Sequence, residues 1–401
     1  MIHVRVAKDL ALCGGKPAFA QAVGGGRPWF PSKGALDRAC GGILERQWYT
    51  NHGPAAQELE RRIKEMLCVR HAISVTNGTI GLMMAAEVHA RAGRILIPAT
   101  ARTAAFEALG WTGHAAACCD ADPQSLGASR VHLDKAVLDS GGRIGGILAT
   151  RPWGTPGHAD KMVAAAADLG VPIWFDASDA LGVLEASGTR VGGAGSCEVF
   201  SFGRGRMVTS TEGGCITTND DDLAARLRNV RSSYGAGPPV AVHRTANGRM
   251  SELQAAVALL SLDELDSNRS HAAALRAAYV AGLNGIDGIS QSDVLAGAPG
   301  QSYHHIVRLE NAGRRMSVSA LLRGLRAENI AAGRVLGLGR VLEREQQFQA
   351  APLQETRSIA SSAIALPVGA SVSVGDARRI CQVLHDLMES MPDSFMQVGE
   401  L

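Results

Sequence analysis

Apolar runs alternate with stretches of helical spacing from about residue 55 to residue 220. The runs His71–Val75, Arg94–Ile97, Ala115–Cys119, Ile144–Thr150, Pro172–Phe175, Val199–Phe202 and Gly214–Thr218 read as strands. Between them Glu58–Cys68, Thr79–Ala92, Thr103–Leu109 and Asp160–Leu169 carry apolar residues at helical period. Strands alternating with helices predict an α/β domain with a mostly parallel, doubly wound sheet covered on both faces. Residues 251–283 read as one long helix, opened by a capping box of Ser251 and Gln254. Beyond it the strands Ser302–Leu309 and Ser362–Leu366 and the helices Ser319–Glu328 and Val374–Met388 predict a smaller C-terminal α/β domain. The expected organisation is an N-terminal segment (1–30), a large domain (31–250), a connecting helix (251–283) and a small domain (284–401).

Composition narrows the class. The 401 residues can bury a large core without covalent staples, and 46% apolar with 19% charged residues is ordinary for a soluble enzyme. A formal charge of +2 argues against a nucleic-acid partner. No apolar run approaches the roughly 18 residues of a membrane span. The N-terminus lacks the features of a signal peptide, so a cytoplasmic location is expected. The eight cysteines form no CxxC pair and read as free thiols. Cys118 and Cys119 are adjacent but have no histidine or second pair at zinc spacing, so no metal site is expected.

The chemistry comes from motifs in fixed order. They are Thr50-Asn51-His52-Gly53-Pro54 with Leu59-Glu60, then Val75-Thr76-Asn77-Gly78-Thr79, then Phe175-Asp176-Ala177-Ser178-Asp179-Ala180-Leu181-Gly182. Phe200-Ser201-Phe202 follows, then Glu212-Gly213-Gly214, Asn247-Gly248-Arg249-Met250-Ser251-Glu252 and Ala365-Leu366-Pro367-Val368. From about residue 10 to residue 390 this series resembles the DegT family of sugar aminotransferases. The resemblance is nearest to the nucleotide-sugar 4-aminotransferase and aminohydroxybenzoate synthase branches. It implies the fold-type I architecture of PLP-dependent transferases (aspartate-aminotransferase-like), with a seven-stranded large-domain sheet. It also implies a small-molecule substrate in sugar or natural-product biosynthesis and a homodimer with shared active sites.

Gly78 and Thr79 end a strand and open a helix, where free N–H groups and the positive end of the dipole suit a phosphate. The plain alternative is a strand–helix turn capped by Asn77. Asp176 stands at the carboxyl end of an apolar strand, where ligands bind in such sheets. The resemblance gives it the pyridine nitrogen of the cofactor; the alternative is a helix N-cap. The resemblance gives Ser201 a cofactor phosphate contact and gives Asn247 a reach into the neighbouring subunit's site. A buried strand serine and a loop asparagine are the bland readings.

Three positions depart from the family pattern, all on the ring side of the expected pocket. Five residues after Ser201 stands Arg206, where the family has its Schiff-base lysine. Lysine occurs only at 8, 16, 33, 64, 135 and 161, so no shift of alignment restores it. A Schiff base needs a neutral primary amine, and a guanidinium with pKa of about 12 or above offers neither nucleophile nor ready base. Arg102 stands where the family has an aromatic residue against the ring, and Asp179 where it has histidine or glutamine near the phenolic oxygen. An Arg–Asp pair could fill the vacated space, the two arginines could bind an anionic group, or catalysis has been lost.

Three functions follow from these candidate residues. One is a repurposed enzyme holding PLP or PMP non-covalently, or no cofactor, with Arg206, Asp179 and Arg102 in catalytic positions and Gly78, Thr79, Asp176, Ser201 and Asn247 binding. Another is a non-catalytic subunit lending Asn247 to a lysine-bearing paralogue. The last is an aminotransferase using another amine, of which Lys161 is nearest in sequence. Of the pair His304 and His305, on a strand after Tyr303, only one can face a site, and one packed and one surface histidine are expected. The Gly192-Gly193-Ala194-Gly195 run leads into a strand and is not a dinucleotide fingerprint.

Overall fold

A computed structural model of the chain describes residues 6–24, 31–89, 91–123, 125–141, 143–185, 187–233, 237–291, 304–310, 316–335 and 352–391. Two compact units emerge: residues 28–266 with 337–356, and residues 1–27 with 267–336 and 357–401. The short strand β1 (Val23–Gly24) belongs to the second unit, and the first unit contains the large sheet. Its strands are β2 (His71–Val75), β3 (Arg94–Pro98), β4 (Ala116–Cys119), β5 (Ile144–Thr150), β6 (Ile173–Asp176), β7 (Glu198–Ser201) and β8 (Gly214–Thr218). Their spatial order is β2-β8-β7-β6-β5-β3-β4, and only β8 runs antiparallel to its neighbours.

The expected strands all form, with ends shifted by one residue at most. They were legible because a strand covered on both faces is apolar at every position. Ile95 and Ile97 pack on one face with Leu148, Val199 and Ile216, while Leu96 and Ile147 pack on the other with Ile173 and Phe175. The helices around this sheet begin with α1 (Lys33–Arg46), α2 (Pro54–Leu67), α3 (Gly78–His89) and α4 (Thr103–Trp111). They continue with α5 (Arg130–Asp139), α6 (Ala159–Leu169) and α7 (Asp221–Arg231). α7 complements its dipole: Asp220 caps the Leu223 N–H at 2.8 Å, acids fill the first turn, and Arg228 and Arg231 end the helix.

The stretch 251–283 is two helices rather than one. α8 (Glu252–Asp263) ends at Glu264, whose φ −93° and ψ 1° break the ladder, and α9 (Leu265–Leu283) follows. The capping box at Ser251 and Gln254 forms as expected, with reciprocal bonds of 3.2 and 3.0 Å. In the second unit β9 (Ile289–Gln291) and β10 (His304–Leu309) share a four-stranded sheet in the order β12-β13-β10-β9. Its other strands are β12 (Gly333–Arg334) and β13 (Ala363–Pro367), while β1 pairs with β11 (Ile330–Ala331). The helices α10 (Val318–Ala327), α11 (Gln354–Ser362) and α12 (Val374–Ser390) complete the chain. His305 is the packed histidine, stacked on Tyr279 with ring centroids 5.1 Å apart. Ser302 and Tyr303, and the side chain of His304, lie outside the described residues. All eight cysteines are free thiols, and no described helix is long and apolar enough to cross a membrane.

Candidate functional site

The carboxyl ends of the parallel strands converge, and the expected site residues of the large unit other than Asn247 stand there. Gly78 and Thr79 follow β2, Arg102 follows β3, Asp176 ends β6 with Asp179 just beyond, and Ser201 ends β7 with Arg206 in the next loop. This edge is where open α/β sheets bind ligands, because the following helices present their N-termini to it.

One half of the site is a strand–helix turn whose helix start could take an anion. Asn77 caps α3 by accepting the Ile80 N–H at 2.8 Å, while the first-turn N–H groups of Gly78 and Thr79 have no intrahelical acceptor. The turn lies hard against β7. A β-carbon on Gly78 would come within 2.8 Å of Ser201 Cβ and 3.2 Å of its Oγ. From the other side Gly214 presses on the same turn, and a β-carbon there would stand 3.1 Å from the Gly78 nitrogen. The two glycines therefore let the helix start and the Ser201 hydroxyl meet in one place. The bland alternatives are met in part: Asn77 is indeed the cap, and the geometry leaves the two N–H groups beside it available.

The other half is a charged clasp. Arg102 donates Nε at 3.0 Å, and also Nη2, to Oδ2 of Asp179. Arg206 donates Nη1 to Oδ1 of the same carboxylate. Side-chain exposure is 28% for Arg102, 13% for Asp179 and 12% for Arg206, so the clasp is shielded from solvent screening. The two guanidinium groups respond differently. Burial opposes the charge on Arg102, but Asp179 and Asp176 outweigh it and raise its pKa. For Arg206 burial and the repulsion of Arg102 outweigh Asp179 and lower it. Asp176 is 4% exposed, and its Oδ1 accepts the backbone N–H of Ser178 at 3.0 Å and the Ser178 hydroxyl. It therefore closes a local turn while facing the two arginines.

Asn247 stands apart from this cluster. It is exposed, has a left-handed φ of 48°, and accepts Arg249 Nη2 at 2.6 Å; Arg249 Nη1 reaches Asn51. Its neighbour Gly248 accepts the Thr76 N–H at 2.8 Å, which sets the segment beside the start of the Asn77–Thr79 turn in the same chain. Two buried carboxylates hold these loops, and sequence reasoning had not given them that role. Glu60 on α2 accepts Ser74 N–H, Arg231 Nη1 and His52 Nε2, each at 2.9 Å. Glu252 at the start of α8 accepts the N–H groups of Ala55 and Ala56 at 2.7 and 3.0 Å, capping α2 from about 200 residues away. Both glutamates were visible as members of the motifs around Leu59-Glu60 and Ser251-Glu252; Arg231 carried no signal at all.

The glycine run at 192–195 also has its explanation here. Its Gly192 and Ala194 N–H groups donate at 3.0 and 2.9 Å to Glu198, which also holds a two-pronged pair with Arg151. Its N–H groups thus serve a buried carboxylate. No lysine is buried: Lys8, Lys16, Lys33, Lys135 and Lys161 are exposed, and Lys64 is half-buried on α2. Among the described residues no cluster of histidine, cysteine and carboxylate side chains could hold a metal ion.

Comparison with known proteins identifies the family and the fold. The chain is 30% identical over 248 residues to Protein MT3510 of Mycobacterium tuberculosis, covering 60% of each chain. It is 28% identical over 233 residues to the GDP-perosamine synthase of Caulobacter vibrioides, covering 56% of this chain and 61% of that one. The matched region thus spans about 60% of the length of these curated relatives. The crystal structure of DesI in the presence of its TDP-sugar product superposes with a TM-score of 0.87 at 29% identity, over 95% of this chain and 96% of that one. The family model of the DegT/DnrJ/EryC1/StrS aminotransferases matches residues 33–385. The chain belongs to the DegT/DnrJ/EryC1/StrS aminotransferase family.

Proposed function

We propose that this protein is an enzyme of sugar or natural-product biosynthesis that anchors a phosphorylated ligand without a covalent link and does not carry out lysine-dependent transamination. The observation that carries this reading is the clasp: position 206 holds a guanidinium bonded to Asp179 instead of an amine. The substrate class suggested by the relatives is a nucleotide-linked sugar, in view of the TDP-sugar product of DesI and of GDP-perosamine synthase.

PLP and PMP fit one end of the site and not the other. The close approach of Gly78 to Ser201 supports a phosphate held by Gly78, Thr79 and Ser201, and buried Asp176 supports a contact to the pyridine nitrogen. The ring side does not fit a covalently held group, since the six lysines are exposed or on an outer helix. The exposed position of Lys161 on α6 removes support for an aminotransferase that borrows it. When bound, the pyridine ring would act as an electron sink for the substrate.

A homodimer with shared sites is part of the reading. Exposed Leu44, Trp48, Tyr49 and Leu253 flank the loop where the Glu252 N–H meets the Tyr49 carbonyl at 3.0 Å, and an apolar group of this kind suits a subunit contact. Exposed Asn247, steadied by Arg249, supports donation to a neighbour's site, whether that neighbour is a second copy or a lysine-bearing paralogue. The decisive experiment mixes the purified protein with PLP and records absorbance before and after borohydride. The reading expects phosphate-competable binding and no label on the chain. A borohydride-fixed cofactor on any lysine overturns it.

A further inference from the structure

We propose that the clasp is a receptor for a second anion, so that the ligand is a phosphorylated small molecule with a carboxylate at its far end. The inference rests on the phosphate anchor proposed above and names what the opposite end selects.

The donor inventory supports this. Asp179 is engaged by both arginines, but it uses neither of them fully. Arg102 spends Nε and Nη2 on one oxygen, leaving Nη1 without a partner among the described residues. Arg206 spends Nη1 alone, and its Nε is buried with no hydrogen-bond partner. A buried donor without an acceptor is unfavourable, and native interiors seldom retain one. The planar fork of arginine is best satisfied by a carboxylate that takes two N–H groups side by side. Asp179 bridges two arginines instead, one oxygen to each, and leaves the Nε side of Arg206 unused. A ligand carboxylate arriving there would complete the fork.

The unspent donors rather than net charge set the preference, because Asp176 acts on both arginines beside Asp179 and balances their charge. A cationic amine on the ligand would meet two guanidinium groups and a carboxylate that is already bonded to both. An anionic group would meet unspent donors.

Three probes on one scaffold test the proposal with the full-length protein. Pyridoxamine 5′-phosphate, pyridoxal 5′-phosphate and 4-pyridoxic acid 5′-phosphate carry a cationic, a neutral and an anionic group at the same carbon. Calorimetric titration should rank the carboxylate form about tenfold tighter than the amine form. Arg206→Gln should erase that preference, while Asp179→Asn, which removes the competing carboxylate, should enlarge it. If Arg206→Gln does not fold, the Asp179→Asn arm and the probe ranking still decide. Equal binding of the three, or tighter binding of the amine form, overturns the proposal and leaves the anchor standing. Failure of all three and of inorganic phosphate to bind would overturn the anchor itself.

Discussion

The α-carbon of Gly78 lies so close to Ser201 that a β-carbon would stand 2.8 Å from Ser201 Cβ. Neither side can yield easily, because Ser201 is fixed in β7 by its pairing with Gly214. Gly78→Ala should therefore push the α3 start away from the serine hydroxyl. We expect inorganic phosphate to bind about tenfold more weakly or worse in the variant, measured by calorimetry. Gly110→Ala is the control: it lies in α4 with nothing within 4 Å of its β-carbon, and should leave binding unchanged and stability equal or slightly raised.

Arg206→Lys places a primary amine at the position that the proposed reading assigns to the family's covalent cofactor link. On that reading the neighbours remain unsuited, since Arg102 and Asp179 still bond to each other beside position 206. The single variant should show a weak cofactor band that borohydride fixes in low yield. Adding Arg102→Phe and Asp179→His should strengthen it. Peptide mapping after reduction checks the result; a triple variant with no label would mean that the pocket has lost more than these three side chains.

Glu60 supplies a pH prediction. Burial works against its ionised form, but the hydrogen bond from His52 and the charge of Arg231 prevail and hold the carboxyl at about 2, below its ordinary 4.5. A depressed folded-state value means the stabilisation is fully present above about pH 4.5 and is lost as the pH falls toward about 2. Denaturant titrations should show that acid loss in the native protein. Glu60→Gln should lack it and should be less stable at pH 7 by on the order of 3 kcal/mol, because Arg231 is left buried with a weakened partner.

Glu252 holds the N-terminus of α2 with two hydrogen bonds from a position with no exposure. Glu252→Ala should cost on the order of 2 kcal/mol, read as a lower denaturation midpoint at unchanged slope. Hydrogen exchange should rise first at Ala55 and Ala56.

The subunit reading is checked by mass. Sedimentation should give a dimer at micromolar concentration, and Trp48→Glu should shift it toward monomer, since that side chain is 46% exposed in the single chain. Arg249→Ala should loosen Asn247 and lower phosphate affinity only if the asparagine reaches a partner's site. A monomeric native protein would end this reading.

The sheet was legible from the chain because parallel strands covered on both faces must be apolar at every position, so Ile95–Ile97 and Ile147–Ala149 stand out by themselves. The Gly78–Thr79 turn and Asp176 were legible for a related reason: backbone approach and a charge at a strand end impose particular residues at particular spacings. The break at Glu264 was not, because helical period runs on across it and only one residue's dihedral angles interrupt the ladder. Residues 102, 179 and 206 could be picked out one by one as departures from a pattern. That one carboxylate grips both arginines was decided by tertiary structure, which brings the ends of β3, β6 and β7 together across 77 and 27 residues of chain. The same holds for Glu252 on Ala55 and for Arg231 on Glu60. Local preference acts over a few residues, whereas a buried charge takes whatever partner the packed elements carry to it.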